Sequence, residues 1–178
     1  MHYCQMFKRI LTYLIIIGFT ILTLMGCERI EKVSPIPDIK YKDYDIQLGK
    51  DSLGNELYVI QVVFSFIDGD GDIGLFLTGE PEQDSTNLFF ITYQKTPEAD
   101  YIATDDEQDT LVYVIAYDDA MERVGQNKTL KGEIFIDHIY YFLPDYDTIR
   151  YEFYMYDRAR NQSNIETTED IGLTSFTN

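Results

Sequence analysis

The sequence predicts an all-β protein, an antiparallel β-sandwich of about seven strands. Two observations support this fold class. Apolar and polar residues alternate with a period of two in several segments, which is typical of strands with one buried face. Aromatic residues form 15% of the chain, with 15 Tyr and 11 Phe, and these residue types favour half-buried strands. Hardly any segment has a helical period, so a fold built on helices is not expected.

The clearest strand spans residues 57–67. Its one wholly apolar face carries Tyr58, Ile60, Val62, Phe64 and Phe66. The opposite face mixes apolar and polar residues, as expected of a strand that is buried on one face and half covered on the other. A turn sequence occupies residues 51–55, so residues 41–48 are predicted to pair with this strand in a hairpin.

Further strands are predicted at 87–95, 110–117, 130–142, 148–156 and 163–168. Turn-forming residues separate several of them, at 96–98, 125–127 and 143–145. Residues 118–123 are compatible with one helical turn. We expect the core between two sheets to contain Ile60, Val62, Phe64, Phe153 and Met155.

Residues 1–26 have the features of a secretory signal peptide. Lys8 and Arg9 precede an apolar run from residue 10 to residue 25. The run ends in Leu-Met-Gly-Cys, which resembles the bacterial lipobox, so Cys27 is predicted to be acylated and to become the first residue. The alternative is an uncleaved membrane anchor, but the run of about 16 residues is shorter than the roughly 20 that span a bilayer.

Residues 27–38 are predicted to form the lipidated cysteine and an extended tether, followed by one domain at residues 39–178. Pro35 and Pro37 disfavour a helix in the tether. Glu28 follows the cysteine in place of the Asp that retains some lipoproteins at the inner membrane. The outer membrane is therefore the predicted location, with the leaflet left open. Once Cys4 leaves with the signal and Cys27 is acylated, disulfides and thiolate zinc sites are excluded.

The net charge of the chain is -17. Removal of Lys8 and Arg9 with the signal peptide leaves 12 basic and 31 acidic residues, a net charge of -19. A surface this acidic repels the phosphates of nucleic acids and anionic lipid head groups. No nucleic-acid partner is therefore expected, and the predicted membrane contact is the lipid anchor.

Three local patterns carry a resemblance to a known group. They are FSFIDGDGDIG at residues 64–74, NKTLKGEI at 127–134 and DRARNQSN at 157–164. In this order they resemble a group of uncharacterised lipoproteins from Bacteroidetes. The third is also similar to the last hairpin of many bacterial immunoglobulin-like domains. The resemblance implies an immunoglobulin-like sandwich in the cell envelope and implies no activity.

Alternating aspartates and glycines follow the clearest strand. Asp68, Asp70 and Asp72 could supply the oxygen ligands that Ca²⁺ prefers, and the glycines permit a tight loop. The loop is not an EF-hand, because Ile73 stands where that loop needs glycine. The alternative is a glycine-rich turn whose aspartates bind backbone amides. Residues at other strand ends that could complete a calcium site are Asp118, Asp119 and Asp157.

The sequence predicts no catalytic site. His138 is the one histidine left after the signal peptide, and its apolar neighbours indicate a place in the core. The predicted function is a non-catalytic, lipid-anchored binding or structural module with a candidate calcium site and an unidentified protein or glycan partner. One alternative is a glycan-binding accessory lipoprotein that uses exposed tyrosines such as Tyr154 and Tyr156. The other is a hydrolase that uses paired carboxylates.

Overall fold

The computed structural model describes residues 33–76, 86–98, 100–104, 110–123, 125, 127–142 and 147–173, together with residues 6, 9, 11–13 and 16. The chain divides into two compact units, Met1–Lys32 and Val33–Asn178. The described residues of the first unit are helical. Across the described residues, no helix is long and apolar enough to cross a membrane. Cys27 and most of the predicted signal peptide lie outside the described residues.

The described residues of the second unit form nine strands and one short 3-10 helix at Asp119–Met121. The strands are β1 (Asp38–Lys50), β2 (Glu56–Asp68), β3 (Leu88–Lys95), β4 (Tyr101–Ala103), β5 (Thr110–Tyr113), β6 (Leu130–Tyr140), β7 (Thr148–Met155), β8 (Glu166–Thr167) and β9 (Ile171–Gly172). The 3-10 helix confirms the single helical turn that residues 118–123 indicate. Asp118 caps it by accepting a hydrogen bond from the backbone N–H of Ala120.

The first sheet has three antiparallel strands in the order β1-β2-β6. The β1–β2 hairpin that the sequence predicts is present, and it closes at Asp51, whose Oδ1 accepts the backbone N–H groups of Leu53 and Asn55 at 2.9 and 2.8 Å. A register shift between Tyr41 and Asp43 interrupts this pairing. The β2–β6 pairing runs without a shift from Asp68 opposite Leu130 to Tyr58 opposite Tyr140.

The second sheet is centred on the antiparallel pair β3–β7. The short strands β4 and β5 both pair with β3, and β8 and β9 both pair with β7. Two predicted strands are much shorter than expected. The strand predicted at residues 110–117 is observed as β5, which already ends at Tyr113. It ends there because the Asn87 side chain accepts the N–H of Ile115 at 2.7 Å. The last segment forms only β8, and the sequence did not predict β4 or β9.

The two sheets pack face to face around one apolar core, which confirms the predicted antiparallel β-sandwich. Five residues predicted to be buried are fully buried, namely Ile60, Val62, Phe64, Phe153 and Met155. The ring of Phe64 on the first sheet lies 5.0 Å from that of Phe153 and 6.4 Å from that of Phe90, both on the second sheet. The narrower assignment to the immunoglobulin-like class stays a prediction.

Candidate metal centre

Three aspartates meet at one end of the sandwich. Asp68 is the last residue of β2 in the first sheet, and Asp72 lies in the loop that follows. Asp157 follows β7 in the second sheet. One carboxylate oxygen from each of them lies within 4.8 Å of the other two. The cluster therefore joins the ends of strands from opposite sheets.

Backbone amides hold one oxygen of Asp68 and one of Asp72 in place. The N–H of Asp72 donates to Asp68 Oδ2 at 2.9 Å, and the N–H of Ala159 donates to Asp72 Oδ2 at 3.1 Å. The other oxygen of each carboxylate, Oδ1, is buried and has no hydrogen-bond partner among the described residues. Asp68 as a whole is 0% exposed. A buried carboxylate oxygen without a protein partner is costly, so we expect a proton, a water or a cation beside it.

The third carboxylate is fixed by its own turn. Asp157 accepts the backbone N–H of Asn161 at 2.7 Å and the Asn161 side-chain amide at 2.8 Å. The turn contains Arg160 in the left-handed region at φ 66°. The backbone N–H of Arg158 donates to the carbonyl of Asp72 at 3.2 Å, which attaches the turn to the β2–β3 loop. These bonds position Asp157 at 1% exposure beside the other two carboxylates.

Two glycines let the β2–β3 loop approach neighbouring backbone closely. Gly71 has φ +70°, and a β-carbon at this position would overlap the carbonyl oxygen of Lys128. A β-carbon at Gly69 would overlap the carbonyl oxygens of Val33 and Ser34. The N–H of Gly69 also donates to Ser34 O at 2.8 Å. The alternation of Asp and Gly therefore has a steric cause, since side chains at 69 and 71 would push the loop away from its neighbours.

Burial and mutual repulsion raise the pKa values of two aspartates in the cluster. Burial raises the pKa of Asp68 to about 7, and the charges of Asp70, Asp72 and Asp157 act in the same direction. Burial also raises the pKa of Asp72, together with the charges of Asp157 and Asp70. Without a cation, the cluster therefore holds a proton near neutral pH or bears repelling charges.

The geometry suits a hard divalent cation. Ca²⁺ binds six to eight oxygens at about 2.3–2.6 Å, so two ligands on opposite sides of the ion lie about 4.6–5.2 Å apart. The three carboxylate oxygens, all within 4.8 Å of one another, can touch one such ion together. The unpartnered Oδ1 atoms of Asp68 and Asp72 provide ligands that no other described group uses. The residues present therefore fit calcium.

The pH dependence of the metal-free protein follows from Asp68. Its folded-state pKa of about 7 exceeds the ordinary 3.8, so its protonation favours the folded state below about pH 4. That contribution is lost as the pH rises from about 4 to 7. In the presence of a chelator, we expect a higher melting temperature at pH 5 than at pH 8. Equal melting temperatures in a calorimetric scan would contradict the assigned environment of Asp68.

The structure brings only some of the predicted metal ligands together. Asp68 and Asp72 belong to the cluster, whereas the side chain of Asp70 is exposed and lies outside it. Of the residues considered as completing ligands, Asp157 joins the cluster. Asp118 and Asp119 do not join it, and Asp118 caps the 3-10 helix instead. That these residues bind calcium stays a prediction.

His138 lies in the core, as its apolar neighbours predict. It is 1% exposed, and its Nδ1 is 2.6 Å from the hydroxyl of Tyr113. Burial lowers its pKa to about 3, so the imidazole is neutral at physiological pH. The ring also stacks on Tyr151 at 4.5 Å. This arrangement is that of a packed core side chain.

The tyrosines on the outer face of the second sheet pack mainly on their neighbours. Tyr154 stacks on Phe89 across the β3–β7 pair, with ring centres 5.2 Å apart. Tyr156 lies edge-on to both rings, at 5.7 and 5.9 Å. Further along the face, the guanidinium of Arg150 lies 3.7 Å from the ring centre of Tyr101. These are the cross-strand contacts expected of a sheet face.

The comparisons with known proteins add no relative. No family model, no curated protein and no solved structure matches the chain. The resemblance to the Bacteroidetes lipoprotein group therefore stays a prediction from the three sequence patterns.

Proposed function

We propose that the protein is a non-catalytic, lipid-anchored module of the outer membrane whose β-sandwich binds calcium at one end. The observation that supports it best is the pair of buried Oδ1 atoms of Asp68 and Asp72, which lack a hydrogen-bond partner among the described residues. An ion there would be bound by both sheets, since Asp157 follows β7 and Asp68 ends β2. Its role is structural, because it replaces repulsion between the carboxylates with attraction to one cation.

Thermal unfolding tests the calcium proposal. Extracytoplasmic calcium sites have Kd values of about 10⁻⁴ to 10⁻³ M, and a concentration tenfold above Kd adds about 1.4 kcal/mol of stability. For a domain of this size the melting temperature should rise by about 3–6 °C. Mg²⁺ at the same concentration should have a smaller effect, because it gives up its water ligands reluctantly. NaCl at matched ionic strength should have almost none.

A pair of charge-neutralising variants isolates the cluster. Asp72→Asn keeps an oxygen to accept the Ala159 N–H and removes the charge, so it should abolish the calcium-dependent shift. Asp70→Asn removes the same charge from an exposed side chain outside the cluster and should retain most of the shift. If the two variants lose the shift equally, calcium is attracted by the acidic surface in general and has no site at this cluster.

Metabolic labelling with a fatty acid tests the anchor. We expect the wild-type chain to be labelled and Cys27→Ser to be unlabelled, because the thiol of Cys27 is the proposed acylation site. Cys4→Ser is the matched control, since Cys4 lies before the apolar run and should not affect labelling. Labelling of Cys27→Ser at the wild-type level would exclude the lipoprotein proposal.

The immunoglobulin-like class and the Bacteroidetes lipoprotein group are part of the same proposal. The support is the DRARNQSN segment, which contains the turn that holds Asp157, and the FSFIDGDGDIG segment, which contains Asp68 and Asp72. Two of the three patterns that carry the resemblance therefore meet at the candidate metal centre. A calcium site shared by the group would account for both patterns physically.

Glycan binding is the second candidate function. The observation that favours it is the half-buried aromatic surface of Phe89, Tyr154 and Tyr156 on the second sheet. A polysaccharide that binds there should lose affinity at least about fivefold in Tyr156→Ala, since an aromatic contact contributes roughly 1 kcal/mol or more. Glycan-array binding that is unchanged in this variant would remove the candidate. A hydrolase is disfavoured at the aspartate cluster, because Asp68 is fully buried and a sugar cannot reach it.

A further inference from the structure

The two edges of the first sheet differ in how they are protected. Edge strand β1 has a register shift between Tyr41 and Asp43. Side chains from another segment bind two of its backbone amides. Asn164 Oδ1 accepts the N–H of Ile39 at 2.8 Å, and Glu166 Oε2 accepts the N–H of Tyr41 at 2.9 Å. Irregular pairing and a covering segment are features by which edge strands avoid pairing with another chain. This half of β1 is therefore closed to a further strand.

The opposite edge, strand β6, is regular and open among the described residues. Its 11 residues pair with β2 without a register shift, and no described strand pairs with its other side. The strand contains no proline. Phe135 and Ile139, each 58% exposed, lie on its outer face. A long, regular edge with exposed apolar side chains favours the addition of a strand from another molecule.

The charges of β6 indicate which strand fits this edge. Lys131 and Asp137 are exposed on the same face of β6, six residues apart. If two copies of β6 pair antiparallel about Ile134, Lys131 of each copy lies opposite Asp137 of the other. We infer that β6 pairs with β6 of a second copy of this chain in this register. The two three-stranded sheets then form one sheet of six strands around a two-fold axis.

Neighbouring symmetric registers lack this match of charges. Opposite residues on antiparallel strands have side chains on the same face, so a two-fold axis perpendicular to the sheet passes through a residue that faces its own copy. An axis at Phe135 places Glu133 opposite Asp137, and like charges that are directly opposite destabilise a strand pair. An axis at Ile136 forms no ion pair. The register about Ile134 is therefore favoured over both neighbours.

The local charge of this edge permits self-association of an acidic chain. Lys42 forms an ion pair with Glu133 of β6, and Lys128 is exposed two residues before the strand begins. With Lys131, these lysines balance the two acidic residues of β6, Glu133 and Asp137. Charges more than about 8 Å apart are largely screened at physiological ionic strength. The acidic excess elsewhere on the chain therefore opposes this contact only weakly.

Disulfide cross-linking tests the partner and the register together. The full-length chain with Cys4→Ser and Cys27→Ser has no thiol, so introduced cysteines are unique. In this background, Lys131→Cys combined with Asp137→Cys places thiols opposite each other in the proposed dimer. Within one chain these positions lie roughly 20 Å apart along the strand, whereas a disulfide needs Cα atoms about 4.4–6.8 Å apart. Any disulfide between them must therefore join two molecules.

We expect oxidation in detergent to give a covalent dimer of the double cysteine variant and almost none of either single variant. In the single variants, the two copies of the one thiol lie roughly 20 Å apart in the proposed register. Cross-linking of a single variant at the level of the double variant would overturn the register. Absence of a cross-linked dimer in the double variant would overturn the pairing of β6 with itself.

Charge reversal tests the same contact without a covalent bond. Lys131→Asp and Asp137→Lys should each weaken the dimer about tenfold in analytical ultracentrifugation, because two ion pairs become two like-charge pairs. Both side chains are exposed, so each variant should fold. The two reversals combined restore opposite charges and should return the association to near the wild-type level. A wild-type chain that stays monomeric, or a combined variant no stronger than the single ones, would overturn the proposal.

Discussion

Replacing Phe64 with alanine is expected to lower the free energy of unfolding by about 3–5 kcal/mol. The ring is 0% exposed in the middle of β2, and it contacts both Phe153 and Phe90 of the opposite sheet. Its removal leaves a cavity between the sheets that neither rigid sheet can close fully. Because a typical domain is stable by about 5–15 kcal/mol, the variant should lose a large part of its total stability.

Phe135→Ala is the matched control for this measurement. Phe135 lies on β6 of the same sheet but is 58% exposed on the outer face. Surface substitutions usually change stability by about 0.5 kcal/mol or less. Urea unfolding followed by circular dichroism gives both values. An equal loss in the two variants would contradict the assignment of the core to the face that carries Phe64.

Gly71→Ala is the second large effect that we expect. The φ of +70° alone costs a residue with a side chain roughly 1–2 kcal/mol, and the new methyl group would also overlap Lys128 O, a backbone atom. The loop must therefore move away from residue 128, which displaces Asp72 from Asp68 and Asp157. We expect a loss of unfolding free energy beyond that from φ alone, together with the loss of calcium binding.

Gly54→Ala separates the cost of backbone strain from the cost of steric overlap. Gly54 has a similar φ of +87°, but a β-carbon there has no atom within 4 Å among the described residues. This variant should lose only the roughly 1–2 kcal/mol of backbone strain and should keep its calcium-dependent melting shift. If Gly71→Ala behaves like Gly54→Ala in both measurements, the tight contact between the loop and Lys128 has no role in the site.

The β-sandwich could be predicted from the sequence because the apolar–polar alternation that specifies its strands is a local pattern. The alternation of apolar and polar residues that buries Ile60, Val62 and Phe64 lies within a single stretch of sequence. Because successive side chains of a strand point to opposite faces, this alternation places the apolar side chains on one face. The ends of elements were harder to predict. Strand β5 ends early because the Asn87 side chain, far away in sequence, takes the N–H of Ile115. No local pattern contains such a contact.

The candidate site was predictable only in part, for the same reason. Asp68 and Asp72 stand out as a local Asp–Gly alternation, but the same alternation gave equal weight to Asp70, whose side chain is exposed. Asp157 comes from the other sheet, and the fold alone brings it to Asp68. The DRARNQSN pattern is the sequence feature that could have indicated Asp157 as a ligand. Asp157 orders this turn by accepting hydrogen bonds from Asn161, and these bonds fix its side chain at the end of a strand.

The most direct test of calcium binding is a crystal structure of the mature chain grown in millimolar calcium at pH 8. We predict an anomalous density peak between the three carboxylates, with Asp68 Oδ1, Asp72 Oδ1 and an Asp157 oxygen at about 2.3–2.6 Å from the ion. Ordered water at this position, or a direct carboxyl–carboxylate hydrogen bond between two of the aspartates under saturating calcium, would contradict the account.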